Sequence, residues 1–208
     1  MICLVLDSMN AVTPKVLGSN NNIIVTNLDS NFFYVPIPKN ASSSTYIFLQ
    51  QYDWAYYQYD NKEQLRGKTA FAVLREPIDR WCSGFAQDFN KSNVDLDSST
   101  SMDKLFNENL NFGIHTKLQS FFLETIGLNS IIYIKHDGTY SNNLENFVVK
   151  IMKMRVYKKV ENGKSVMDYS VKDKIKNILY TNPKYLTLLK KYLEKDLDLY
   201  NSANFYIG

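Results

Sequence analysis

Short apolar runs of strand length, separated by stretches with apolar residues every three or four positions, set the tightest limit on what this chain can become. β-Branched and aromatic residues cluster at 23–26, 32–37, 69–74 and 130–135, with a weaker run at 155–160. Each run is too short for a helix and suits a buried strand. Between them lie helical patterns. Residues 43–51 follow a cluster of hydroxyls, and 77–89 begin at Pro77, whose missing N–H suits a first helical position. Residues 114–126 repeat apolar side chains at three and four, and 142–154 open with the capping-box spacing of Asn142 and Glu145. Two more helices are expected at the end, one from Ser170 to Tyr180 and one from Asn182-Pro183 through "KYLTLLKKYLEKDLDLY". Strands alternating with helices over the whole length imply an α/β fold whose central sheet is mostly parallel and flanked by helices, because parallel neighbours need crossover connections.

At 208 residues and 45% hydrophobic, the chain can bury one substantial core, so a single domain over 1–208 is expected. The 24 basic against 21 acidic residues give a net charge of +3, too mild to make nucleic acid or an anionic membrane the main partner. A local anion site is compatible with that balance. Cys3 and Cys82 form neither a metal-ligand spacing nor a disulfide framework, which fits a reducing compartment. The opening "MICLVLDSMN" lacks a basic start, Asp7 interrupts its apolar run, and no later stretch reaches membrane length. A cytoplasmic location is expected. The tract "NKSNVDLDSSTSMDK", residues 90–104, reads as an exposed excursion or lid.

The stretch "FFYVPIPKNASSSTYIFLQ", residues 32–50, passes from a strand-like run through one lysine and small polar residues into a helical pattern. In open α/β sheets ligands bind beyond the carboxyl ends of the strands. A strand-to-helix turn over "PKNASS" would aim free backbone N–H groups outward, where the helix dipole also favours an anion. Ala41, Ser42 and Ser43 leave room for close approach, and Lys39 adds a full positive charge. On the local sequence alone the simpler reading of the same residues is an ordinary capped helix start with a solvated lysine. The phosphate loop of nucleotide kinases places Gly-Lys-Ser/Thr at the helix start, whereas here the lysine comes first and the turn has no glycine.

A second junction, "TAFAVLREPIDRWCSGFAQDF", residues 69–89, runs from a strand into Arg75, with Ser83 eight positions later on the following helix. Arginine and hydroxyl can converge there on a second phosphate. Alternatively, Arg75 pairs with Glu76 or Asp79.

Taken together, "PKNASSST" and "LREPIDRWCSGF" resemble the 5′-phosphosulfate and 3′-phosphate motifs of sulfotransferases that use 3′-phosphoadenosine-5′-phosphosulfate (PAPS). The wording is most similar to the carbohydrate branch, to which "HTKLQSFFL", residues 115–123, and the closing "YLEKDLDLY" also bear a likeness. These motifs span about residues 32–200. The resemblance implies a P-loop-like three-layer fold and transfer of a sulfuryl group from PAPS to a hydroxyl of a carbohydrate or glycoconjugate, releasing adenosine 3′,5′-bisphosphate. It implies that Lys39 meets the charge growing on the bridging oxygen, the place where a cation lowers the barrier most. Lys39, Asn40, Ala41, Ser42, Ser43, Ser44 and Thr45 would hold the 5′-phosphosulfate, and Arg75 and Ser83 the 3′-phosphate. Lysine and oriented amides can do the neutralising that magnesium does in kinases, so no metal is expected.

The acceptor hydroxyl needs a base. His115, at the start of a predicted helix, can take a proton at neutral pH. Asp53, Asp60 and Glu63 are carboxylate alternatives; His136 reads as structural, and Asp137 is placed where the branch often has an acidic residue. Asn162, Lys164 and Ser165 lie in a late Asn-Gly-containing loop similar to one that closes over the nucleotide in these enzymes. The aromatics of "QQYDWAYYQYDN", residues 50–61, read as core-edge residues, with sugar stacking as the alternative. Ala41, Ser43 and Ser44 depart from the cytosolic small-molecule branch, and no anchoring helix or disulfides like those of the Golgi enzymes are expected. Two other functions fit the same sequence: a kinase-like phosphotransferase, and a non-catalytic protein that keeps the nucleotide pocket.

Overall fold

The computed structural model describes residues 10–11, 22–124, 126, 130–160 and 169–208. Their elements are β1 (Asn10–Ala11), β2 (Ile23–Thr26), β3 (Phe32–Val35), α1 (Ser42–Leu49), β4 (Ala55–Gln58), β5 (Thr69–Leu74), α2 (Pro77–Ser92), α3 (Ser99–Glu108), α4 (Gln119–Glu124), β6 (Ile131–Lys135), α5 (Tyr140–Lys150), α6 (Tyr169–Thr181), α7 (Pro183–Tyr192) and α8 (Glu194–Ser202). The chain forms two compact units. The first holds the described residues of Met1–Leu74, Phe121–Gly163 and Ala203–Gly208, and the second those of Arg75–Ser120 and Lys164–Ser202.

The first unit is built on one sheet in the order β1-β4-β2-β3-β5-β6. β3, β5 and β6 run parallel, with Val35 opposite Ala72 and Ala72 opposite Tyr133. β2 is antiparallel to both β3 and β4, and β1 to β4. The sheet is therefore mixed, not mostly parallel as expected. The reason lies in the short segment after β2, where Ser30 N–H donates to the Asn27 carbonyl at 3.0 Å and Asp29 N–H to Asn27 Oδ1 at 3.0 Å. A turn that tight can close only an antiparallel pair.

Alternation along the strands divides the buried residues between two faces. Ile23, Val25, Tyr34, Tyr56, Phe71, Val73 and Ile134 share a core with Phe48 and Leu49 of α1 and Tyr140, Leu144, Phe147 and Val148 of α5. Phe147 sits among Phe32, Phe71 and Tyr206, with ring centroids 6.0, 4.9 and 5.5 Å away. Burial of such a ring stabilises by about 1.5–3 kcal/mol. Ile24, Phe33, Val35, Ala70, Ala72 and Leu74, on the opposite face, are buried as completely.

Several boundaries differ from expectation. Residues 155–160 form no strand. Their backbone is held by side chains instead: Tyr157 and Lys158 N–H donate to Gln51 Oε1 at 3.0 and 2.8 Å, and Val160 N–H to Glu145 Oε1 at 2.9 Å. Glu145 is thus not the capping-box partner of Asn142; α5 begins after Thr139. β4 falls inside the aromatic tract, whose Trp54, Tyr56 and Tyr59 are core residues, 2–3% exposed.

In the second unit, α2 presents Trp81, Cys82 and Phe85 to Met102, Leu105 and Phe106 of α3, Ile175 and Leu179 of α6 and Leu189 of α7. The tract 90–104 is not simply an excursion: Leu96 and Met102 are buried, and the Ser98 hydroxyl caps α3 by accepting from Ser101 N–H at 3.3 Å. The final helical pattern is split at Leu193 into α7 and α8. Among the described residues no helix is long and apolar enough to cross a membrane.

Candidate functional site

β3 leads through buried Pro36 and Ile37 into a turn over 38–41 that opens α1. Asn40 N–H donates to the Ile37 carbonyl at 3.2 Å. Lys39 and Ala41 both adopt left-handed backbone, with φ of 69° and 55°. Outside glycine that conformation costs about 1–2 kcal/mol per residue. Left-handed residues in such a turn swing N–H groups toward one side, as in backbone concavities that bind anions. Buried Asn40 fixes the turn to the neighbouring parallel strand, its Nδ2 donating to the Val73 carbonyl at 2.7 Å.

The start of α1 is chemically open on one side and closed on the other. Ala41 is its N-cap and has no side chain to cap with, whereas α2, α3 and α7 are capped by Glu76, Ser98 and Asn182. Ser43 is exposed and Ser42 half-buried, but Ser44 and Thr45 are buried. Thr45 Oγ1 donates to the Ala41 carbonyl at 3.0 Å, so the Tyr140 hydroxyl, 2.7 Å away, donates to Thr45. Burial pushes the Tyr140 phenol up to about 12, despite the opposing bond to Thr45. Thr45 therefore faces the interior, and the hydroxyls turned toward solvent are those of Ser42 and Ser43.

In the second unit, Arg75 directly follows β5. Its backbone is held by buried Gln119, which accepts from Arg75 N–H at 3.1 Å and donates to its carbonyl at 3.0 Å. The guanidinium engages Asp79, with Nε 2.8 Å from Oδ2 and Nη2 on the same oxygen. Lys172 and Lys176 of α6 reach the other oxygen, Oδ1, at 2.8 and 2.5 Å. Burial alone would raise the Asp79 pKa; hydrogen bonds from the two lysines and the Arg75 charge outweigh it and hold the carboxyl well below its usual range. Ser83 is fully buried and donates to the Asp79 carbonyl at 2.9 Å, a bond inside its own helix. Sequence reasoning named Arg75 and Ser83 but missed Asp79's role as a hub and both lysines. The i, i+4 spacing of Lys172 and Lys176 was the available signal.

His115 does not start a helix; it lies in a turn before α4, which begins at Gln119. Its Nδ1 is 2.8 Å from Oδ2 of buried Asp88, whose Oδ1 accepts from Lys91 at 3.1 Å. Burial would raise the Asp88 pKa, but His115 and Lys91 overcome it and keep the carboxyl below its usual range. An ionised Asp88 accepts, so Nδ1 carries the proton and Nε2 is left as the acceptor nitrogen. Asp196 caps α4 by accepting from the N–H groups of Gln119 and Ser120 at 2.6 and 2.8 Å.

Asp53, Asp60 and Glu63 are exposed, and Glu63 pairs with Arg66 at 3.2 Å in solvent. Asp137 binds the N–H and hydroxyl of Thr139, while His136 N–H donates to the Leu74 carbonyl at 2.7 Å. Asn162, Lys164 and Ser165 lie outside the described residues. Among the described residues no group of three or more His, Cys, Asp or Glu is arranged to hold a metal ion. A cleft of about 380 Å³ lined by Phe89, Leu96, Asp97, Val171 and Lys174 contains none of the expected site residues. Comparison with protein-family models, curated proteins and solved structures finds no match to this chain.

Proposed function

We propose that the chain is a PAPS-dependent sulfotransferase of P-loop-like architecture, acting on a carbohydrate or other hydroxyl acceptor. One observation carries the reading: the turn between β3 and α1 holds Lys39 and Ala41 in left-handed backbone without any glycine, at a helix start whose N-cap residue, Ala41, has no capping side chain. Strain of that kind persists where surrounding structure enforces it, and it is concentrated at functional sites. The resemblance of "PKNASSST" to a phosphosulfate loop supplies the ligand class.

In this reading the turn amides and the hydroxyls of Ser42 and Ser43 bind the 5′-phosphosulfate. An acceptor oxygen attacks sulfur, the bond from sulfur to the bridging phosphate oxygen breaks, and Lys39 meets the charge left on that oxygen. The acceptor proton passes to a base, for which His115 Nε2 has the tautomer required. Arg75 is the proposed ligand of the 3′-phosphate. Adenosine 3′,5′-bisphosphate leaves.

Thermal shift with adenosine 3′,5′-bisphosphate against adenosine 5′-monophosphate tests the donor, because a ligand bound only by the folded state raises Tm. A larger shift with the bisphosphate, and sulfuryl transfer from PAPS to an oligosaccharide panel that Lys39→Ala removes, are expected. Equal shifts from the two nucleotides, or magnesium-dependent ATP binding with no response to the bisphosphate, would overturn the reading.

A further inference from the structure

Beyond α5 the chain crosses the first unit to the end of α1. Met152 and Met154 N–H donate to the Phe147 and Val148 carbonyls at 3.2 and 3.1 Å, and between them Lys153 adopts left-handed backbone, φ 59°. Gln51, just after α1, takes Tyr157 and Lys158 N–H on Oε1 and gives its Nε2 to the Lys158 carbonyl at 3.3 Å. Val160 N–H then returns to Glu145 of α5. Met152, Met154, Val156 and Val160 pack on the core, whereas Ile151, Lys153, Arg155 and Tyr157, at the alternate positions, are exposed with Lys158 and Lys159. One side anchors the segment and the other faces outward.

The outward side is basic and apolar together. Residues 150–159 contain Lys150, Lys153, Arg155, Lys158 and Lys159 and no acidic residue; without them, the 21 acidic residues of the chain outnumber its remaining basic ones. A mild net charge thus hides a local excess. All five cations are exposed, and none forms an ion pair among the described residues. Glu145, the carboxylate that reaches this segment, accepts from Val160 N–H. Ile151 and Tyr157 are 40% and 71% exposed. Ile47, four residues before Gln51, and Val149, four after Glu145, are 55% and 47% exposed. Single exposed hydrophobics are ordinary, but a set of them rimmed by unpaired cations marks an interaction surface.

We infer that this face docks on a membrane surface rich in anionic phospholipid. The negative potential of such a surface attracts lysine and arginine, and aliphatic and aromatic side chains beside them enter the headgroup boundary. A soluble polyanion would use the charges but gain little from Ile47, Val149 and Ile151. A nucleic acid strand would need aromatic platforms for successive bases, and the exposed side offers Tyr157. Membrane contact uses the charged and the apolar residues alike. None of these residues is assigned to sulfuryl transfer, and Gln51 and the turn over 38–41 lie at opposite ends of α1, so the docking face does not include the turn.

The test is co-sedimentation of the full chain with vesicles of phosphatidylcholine alone and of phosphatidylcholine with phosphatidylserine at two to one, over a salt series. Binding is expected with the phosphatidylserine vesicles only, and it should weaken as salt screens the surface. Lys153→Gln and Lys158→Gln should each weaken it about fivefold. Ile151→Ser, which keeps every charge, should also weaken it, by about fivefold or more. These side chains are exposed, so the variants are expected to fold; circular dichroism checks this. No binding to either vesicle, or equal binding to both, overturns the inference. Vesicle binding that is unchanged in Ile151→Ser, together with heparin or single-stranded RNA binding that both lysine variants weaken, assigns the face to a soluble polyanion and likewise overturns it.

Discussion

The side-chain amide of Asn40 donates to the carbonyl of Val73 across 2.7 Å, tying the turn after β3 to the end of β5. Both groups are buried, so deleting the amide leaves a carbonyl without its donor, at a cost of about 1–3 kcal/mol. Asn40→Ala is expected to lower stability by that amount in urea denaturation. It is also expected to reduce the bisphosphate-induced Tm shift, because the left-handed turn would lose its anchor. A stable variant with full ligand response would show that α1 alone fixes the turn.

Ala41, at φ 55°, is a side chain in a glycine conformation. Replacing it with glycine relieves about 1–2 kcal/mol of left-handed strain and returns about 0.4–1 kcal/mol through the greater freedom of the unfolded chain. Ala41→Gly should therefore be neutral to slightly stabilising. Ala41→Val should be clearly destabilising, since branching at Cβ is least tolerated there. Equilibrium unfolding of the two variants checks the order, and a stabilising valine would contradict the backbone geometry.

Thr45 and Tyr140 share a buried hydroxyl pair. Thr45→Val removes two neutral hydrogen bonds, the one donated to the Ala41 carbonyl and the one accepted from Tyr140, and leaves the phenol without its acceptor, at a cost of about 1–3 kcal/mol. If Thr45 serves only the interior, its variant loses stability but keeps bisphosphate affinity, and a double cycle with Tyr140→Phe gives a coupling of similar size. Lost affinity in a folded Thr45→Val would return this hydroxyl to the proposed phosphate site.

Asp79 makes stability depend on acid. Its folded pKa is depressed below the unfolded value of about 3.9. The stabilisation is present in full above that unfolded value and is lost as pH falls toward the folded one. Wild type is expected to lose stability between about pH 5 and pH 2 more steeply than Asp79→Asn. Parallel curves of urea midpoint against pH for the two proteins would mean that the three cations do not hold the carboxylate in solution.

Local pattern carried the strands at 23–26 and 69–74 to the residue, because β-branched runs bounded by polar turns have no competing helical period. It missed β4, where Ala55–Gln58 sits among aromatics whose burial depends on distant partners such as Phe71, 6.0 Å from Trp54. The antiparallel course of β2 was legible in the length of the segment before β3 and was overridden by the overall alternation of strands and helices. α3 hid behind Ser98 and its neighbours, since serine-rich stretches signal caps as well as loops. Around the candidate site, the strand-turn-helix course over 32–49 was readable because its parts are contiguous. The Asp79 hub was not: its two lysines come from α6, and only tertiary packing brings them to the start of α2.

Gly84 of α2 is closely faced by the turn that carries His115. A Cβ built at Gly84 would lie 2.1 Å from the His115 carbonyl oxygen and 2.6 Å from its carbonyl carbon. Those atoms are backbone and cannot rotate away, so Gly84→Ala must push the turn off α2, with an overpacking cost of about 1–3 kcal/mol. Asp88, one turn further along, holds the same turn through His115 Nδ1. Asp88→Asn keeps a hydrogen-bonding side chain there but replaces the charged acceptor with an amide, so the preference for a proton on His115 Nδ1 should weaken relative to wild type. Nitrogen NMR of His115 reads the tautomer. With Asp88 intact, the neutral ring should carry its proton on Nδ1; a ring protonated on Nε2 would remove His115 as a base.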